Sequence, residues 1–165
     1  MRKLKTLRDL YVEQLQDLHN AEQQLVKALP EIAGHASDPA WKKAFDEHLE
    51  QTKSHAGRIE RICEQLEISA TGEKCKAMKG LITGGKDVAA HPGESEVRDA
   101  ALTAAAERVE RHEIAGYGCA RSCAEILGFE DQAELLGQTL SEESETDLRF
   151  TEIASGLNTV ADKAH

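Results

Sequence analysis

Glu22 and Glu113 each occupy a position in a helical stripe that is otherwise apolar. A carboxylate aimed into a packed interior must be protonated, paired or bound to a cation. No Lys or Arg shares the inward stripe beside either residue, so a metal ion is the partner to test first. A dinuclear carboxylate centre between helices asks for a Glu from each of two helices and a Glu-x-x-His pair from each of the other two, because a spacing of three places both side chains on one face. This chain carries that pair in split form: Thr52-x-x-His55 keeps the His and Glu143-x-x-Thr146 keeps the Glu. Gln51, Glu110 and Glu142 flank the same faces, and Glu110-x-x-Glu113 offers two carboxylates from one helix. The candidate metal ligands are therefore Glu22, Gln51, His55, Glu110, Glu113, Glu142 and Glu143. Taken singly, His48 reads as a packed or hydrogen-bonded core residue, and Asp46, Glu47, Glu50 and Glu60 as solvated face.

The elements that must position these residues follow from the spacing. Tyr11, Leu15, Leu18, Glu22, Leu25, Leu29 and Ile32 alternate steps of four and three, which keeps all of them on one side of a helix. A shift of 91 positions carries Glu22 onto Glu113 and Leu18 onto Val109 without a gap. The same shift carries the series Trp41, Phe45, His48, Thr52, His55, Ile59, Ile62, Leu66 onto Gln132, Leu136, Thr139, Glu143, Thr146, Phe150, Ile153, Leu157. Identities between the halves are sparse, so the repeat is a structural pattern: the third helix is built like the first, and the fourth like the second.

Thr6 with Asp9 has the form of a capping box. Pro30 predicts a kink or early end near Val26 to Pro30, with Gly34 as the latest stop. Ser37, Asp38 and Pro39 open a second helix to about Leu66. Ser95 and Glu96 open the third helix and Gly128 closes it. Both pairs have short connections and should form antiparallel hairpins. The segment from Glu67 to Glu94 is far longer than a turn. A helix of about 28 residues is about 42 Å long, and this segment can cross that length. Within it, residues 74–90 have a helical pattern that Gly84 and Gly85 should break, ended by His91-Pro92-Gly93. The expected fold is all-α: a ferritin-like four-helix bundle, two antiparallel hairpins joined by a long crossover with a short extra helix. One domain over 1–165 is expected, with hairpins at 6–66 and 95–160 and the crossover at 67–94.

Only 4% of the 165 residues are aromatic and 3 are proline, which favours helix over sheet. The net charge of -10 would repel a nucleic-acid backbone or an anionic membrane, and suits a cationic ligand. The chain turns polar before any long apolar run, so neither a secretory leader nor a membrane span is expected, and the cytoplasm is the default location. Cys63, Cys75, Cys119 and Cys123 lack CxxC spacing and read as reduced packing residues.

Five stretches carry a resemblance over nearly the whole chain: AEQQLVKALP around Glu22, HLEQTKSHAGRIE, KCKAMKGLI, EVRDAALTAAAERVERHEIAGYG through Glu113, and TLSEESETDLRFTEIA with Glu142 and Glu143. In these the sequence resembles the YciE/YciF-like family of ferritin-like stress-associated proteins. The resemblance implies a ferritin-like bundle, usually a homodimer, related in fold to rubrerythrin and bacterioferritin. Gln51, Thr52 and Thr146 depart from active di-iron relatives where carboxylate or His ligands would be expected. Oxygen-rich ligation with imidazole suits iron or manganese. The expectation is a metal-binding, stress-associated protein, iron or manganese in a mononuclear or dinuclear centre, oxidising ferrous iron or handling peroxide. The alternative is a non-enzymatic structural or stress protein with a degenerate metal site.

Overall fold

A computed structural model describes residues 4–163, so the outermost positions of the expected domain, 1–3 and 164–165, lie outside the described residues. The chain forms five helices: α1 (Leu7–His35), α2 (Pro39–Gln65), α3 (Lys76–Ala89), α4 (Ser95–Leu127) and α5 (Glu130–Lys163). Among the described residues there is no strand, and no helix is long and apolar enough to cross a membrane.

Local chemistry sets the ends. The Asp9 amide donates to Thr6 Oγ1 at 3.1 Å and the Thr6 amide donates back to Asp9 Oδ2 at 3.0 Å, completing the capping box. Asp38 caps α2 by accepting from the Ala40 and Trp41 amides, with Pro39 in the first turn where its missing donor costs nothing. Gly128 ends α4 at a φ of 75°, a left-handed conformation that favours glycine. Buried Asp99 on α4 accepts from the Ser37 and Asp38 amides, which ties the α1–α2 turn to the start of the second hairpin.

Two expectations about breaks are corrected. Helix α1 does not stop near Pro30 but continues to His35. Pro30 is exposed while Ala28, Leu29 and Ala33 bury themselves, so packing of the inner face outweighs the lost donor. Gly84 and Gly85 do not break α3 either. Gly85 is buried where an added Cβ would lie 3.8 Å from the Ala105 Cβ and 4.0 Å from the Ile32 Cδ1, so α3 sits close to α1 and α4 there.

The hairpins α1–α2 and α4–α5 pack through α1 against α4 and α2 against α5, while α1 and α5, and likewise α2 and α4, stand diagonally across the centre and meet there through long side chains such as Tyr11 with Gln132 and His48 with Glu110. Helix α3 lies against α1 and α4. The interior is divided lengthwise. One apolar cluster gathers Tyr11, Leu15, Ile59, Ile62, Tyr117 and Leu136, and the other gathers Leu25, Trp41, Phe45, Met78, Val109 and Phe150. Trp41, Phe45 and Phe150 form an aromatic group with ring centroids 4.3, 4.7 and 5.9 Å apart. Glu22, Glu113 and His55 stand on the same helices between the members of these two clusters.

Gly84 lies inside α3 with nothing within 4 Å of an added Cβ. Gly84→Ala should therefore stabilise the protein by about 0.5–1 kcal/mol through helix propensity, read as a higher urea midpoint with an unchanged slope. A loss of stability would show that the glycine is needed for its conformation.

Candidate metal centre

Each of the four long helices sends ionisable side chains into the layer between the clusters. Helix α1 contributes Glu22, α2 contributes His48 and His55, α4 contributes Glu110 and Glu113, and α5 contributes Glu143, all at most 1% exposed. They fall into two groups, Glu22–His55–Glu143 and His48–Glu110–Glu113–Glu143. Within each group one ligand atom per residue lies within 4.8 Å of all the others. Glu143 belongs to both, the place a bridging carboxylate would take between two ions. The buried layer contains no Lys or Arg among the described residues.

The hydrogen bonding is incomplete in a specific way. Tyr117 donates its hydroxyl to Glu22 Oε1 in a short contact. Glu22 Oε2, Glu110 Oε2, and both carboxylate oxygens of Glu113 and of Glu143 have no hydrogen-bond partner. His55 Nδ1 lies 2.8 Å from Glu143 Oε1 and 3.7 Å from Glu22 Oε1, and His48 Nε2 lies 3.1 Å from Glu110 Oε1, each without hydrogen-bond alignment. Four carboxylates converging in a dry interior with only two imidazoles and the Tyr117 hydroxyl beside them are what a cation suits and what a stable metal-free core avoids. The donor set therefore fits oxygen-rich ligation of a divalent ion with one imidazole in each group.

His55 is oriented from behind. Its Nε2 meets Glu142 Oε2 at 2.8 Å, and Arg58 grips that carboxylate through two nitrogens at 2.6 and 2.9 Å. In the neutral ring with its proton on Nε2, directed at Glu142, Nδ1 would present its lone pair to Glu22 and Glu143; in the charged ring both nitrogens face carboxylates. Glu142 is thus placed as the support of a ligand and stands outside both groups. Gln51 Oε1 lies 3.2 Å from the Thr146 hydroxyl. Thr52 and Thr146 donate to the backbone carbonyls of His48 and Glu142.

Of the residues singled out in the sequence, the structure brings together Glu22, His55, Glu110, Glu113 and Glu143. Sequence reasoning offers His48 as a further nitrogen donor but favours a packed or hydrogen-bonded role for it, and it misses Tyr117. His48 lies in the inward series of α2, one turn before Thr52, and that spacing was the available signal. Tyr117 lies four residues after Glu113, on the same face. His19, the repeat partner of Glu110, instead meets Glu60 at 2.9 Å near the surface.

The chain matches over residues 6–164 the model of a family described as a domain of unknown function, DUF892. It belongs to that family. Protein YciF of Escherichia coli K12 is 41% identical over 162 residues, spanning 98% of this chain and 96% of that one. The crystal structure of the Escherichia coli stress protein YciF superposes with a TM-score of 0.91 at 39% identity, covering 94% of this chain and 99% of that chain. YcfI, a candidate structural protein from Rhodopseudomonas palustris, gives a TM-score of 0.88 at 33% identity over 91% and 96%. A Xanthomonas campestris protein shares the fold at a TM-score of 0.75 and 19% identity, covering 93% of this chain and 94% of that one. The sequence resemblance to YciF-like proteins holds, and so does the all-helical architecture.

In this DUF892 member the crowding shows in the acid–base behaviour of the layer. Burial, then the like charge of Glu143, lifts the Glu22 carboxyl from its ordinary 4.5 to about 8. Burial lifts Glu110 to about 8 despite the opposing pull of His48. Glu113 rises well above its ordinary value through burial, then through Glu22 and Glu143. Burial works against a charged His48, but Glu110, Glu143 and Glu22 outweigh it and raise the ring to about 9. Glu143 is lowered: its burial is outweighed by His55 and His48.

These directions fix how stability depends on pH. Glu22, Glu110, Glu113 and His48 hold protons more tightly in the folded chain than in the unfolded one. Their contribution is full below the unfolded values and is lost as pH rises through 8 to 9. Chelator-treated protein should therefore melt progressively lower from pH 5.5 to pH 9. Glu113→Gln should flatten that decline and raise metal-free stability at pH 8 by about 1–3 kcal/mol. Equal slopes for the two proteins in differential scanning calorimetry would contradict the charge crowding.

Proposed function

We propose that this DUF892 protein is a ferritin-like four-helix bundle that binds iron or manganese at a dinuclear carboxylate centre in the cytoplasm, as a homodimer serving a stress response. The observation that carries the reading is Glu143, a buried carboxylate with no aligned hydrogen bond to either oxygen, shared between two candidate ligand groups that each contain an imidazole. Glu22, His55 and Glu143 would hold one ion, and His48, Glu110, Glu113 and Glu143 the other. Iron or manganese bound there would supply one-electron chemistry toward oxygen or peroxide. The chain's own residues orient the ligands: Tyr117 fixes Glu22, and Arg58 through Glu142 fixes His55. An apolar cavity of about 30 Å³, lined by Leu29, Phe45, Leu102 and Phe150, reaches His48 and Glu110. It is large enough for a small uncharged oxidant and too dry for a hydrated ion.

Thr52 and Thr146 favour a second reading. Their hydroxyls are turned to the backbone at positions where complete Glu-x-x-His pairs would place ligands. The second reading is a non-enzymatic stress or structural protein in which the ion only staples the fold. The description of the Rhodopseudomonas palustris relative as a candidate structural protein is in keeping with it.

Chelator-stripped protein titrated anaerobically with ferrous ion should take up two ions per chain and gain several degrees in melting temperature. Glu22→Ala and Glu113→Ala should each lose at least one of them. Absence of both iron and manganese uptake would overturn the metal reading. Peroxide consumption by the iron-loaded protein should fall at least about tenfold in both variants, whereas equal rates in all three proteins would leave the structural reading standing.

A further inference from the structure

Cys75 was read from the sequence as a packing residue, and the structure gives it two polar neighbours. It is the residue immediately before α3, it is 1% exposed, and its Sγ lies 3.1 Å from Asp17 Oδ2 on α1 and 3.8 Å from His112 Nε2 on α4. One ligand atom from each of the three residues lies within 4.8 Å of the other two. A tetrahedral zinc ion with its usual bond lengths to sulfur and nitrogen would separate those two atoms by about 3.6 Å. The edge is therefore close to formed.

The sulfur is also held in place. The Cys75 amide donates to Asn20 Oδ1 at 2.8 Å, and Gln24 Nε2 donates to the Cys75 carbonyl at 3.0 Å and to Asn20 Oδ1 at 2.8 Å. Two side chains of α1, one and two turns after the Asp17 that faces its thiol, thus fix the backbone of a residue in a connecting segment. Asp17 and His112 are half-buried, and Asp17 borders an open surface cleft of mixed charge with Glu13, Gln16, Glu73, Lys74 and Lys76. An ion could therefore arrive from solvent.

We propose that Asp17, Cys75 and His112 form a second metal site, mononuclear and selective for zinc-class ions, separate from the carboxylate centre. A thiolate, an imidazole and a single carboxylate favour a borderline-soft divalent ion over the hard-ligand preference of the oxygen-rich core. Three protein ligands leave a fourth position for water. Without an ion the thiol donates its proton to Asp17; on binding, that proton passes to solvent, one per ion.

Cobalt is the probe, because a thiolate bound to it absorbs in the near ultraviolet. Full-length, chelator-stripped protein under reducing, anaerobic conditions should develop this charge-transfer band with one equivalent of cobalt, and zinc should bleach it. Cys75→Ser should abolish the band. His112→Ala and Asp17→Asn, at half-buried positions, should each weaken cobalt binding by about tenfold or more. Cys119→Ser and Cys123→Ser should leave it intact. Glu113→Ala, which removes a candidate ligand of the carboxylate centre, should also retain it, so the two sites succeed or fail separately. Absence of the band, its survival in Cys75→Ser, or indifference to both Asp17→Asn and His112→Ala would overturn the proposal.

Discussion

Two like charges held about 5 Å apart where water is excluded repel several-fold more strongly than they would at a surface. Glu22, Glu110, Glu113 and Glu143 meet under that condition, with His48 and His55 as the cationic partners within the layer. A buried lysine would have relieved the repulsion, but its ammonium would have occupied the space between the carboxylates. The chain instead leaves oxygen lone pairs facing one another, and only Glu22 receives a hydroxyl donor, from Tyr117. Such an arrangement is tolerable when protons or a multivalent cation carry the compensating charge.

The rest of the molecule supports that layer. Apolar clusters on either side supply the burial energy that offsets it and keep water out. The Arg58–Glu142 pair sits at the rim, where partial solvation makes a bidentate ion pair tolerable, and passes orientation inward to His55. Asp99 performs a comparable task at the end of the molecule, satisfying the amides of the α1–α2 turn and setting how the hairpins meet.

Much of this is written in spacing. The alternation of fours and threes through Tyr11, Leu15, Leu18 and Glu22 fixes which face is inward, and Glu22 is fully buried as that rhythm requires. Gly128 and the capping box are equally local signals. Pro30 and the Gly84–Gly85 pair show the limit: propensity treats each as a break, whereas burial of Leu29, Ala33 and Gly85 against other helices decides the matter. The inward set of carboxylates was legible, but partnership was not. Whether His48 packs or faces Glu110, and whether Glu142 points into the layer or braces His55 from outside, depends on rotations between helices. The repeat of 91 residues suggested symmetric companions, yet His19 meets Glu60 near the surface whereas Glu110 is buried against His48. Cys75 opens the helical pattern of the segment between the hairpins, but a pattern within one helix does not say which residues of α1 and α4 it meets.

The shared position of Glu143 between buried carboxylates and imidazoles drawn from α1, α2 and α4 has a kinetic meaning. Its partners run from Glu22 to Glu113, so the centre closes some of the longest loops available to the chain. Each hairpin can form from local contacts alone, but neither contains a complete ligand group. Docking of the hairpins is then the step that creates the centre. High contact order places such a step late, and an ion that requires the finished centre acts on the rate of unfolding more than on the rate of folding.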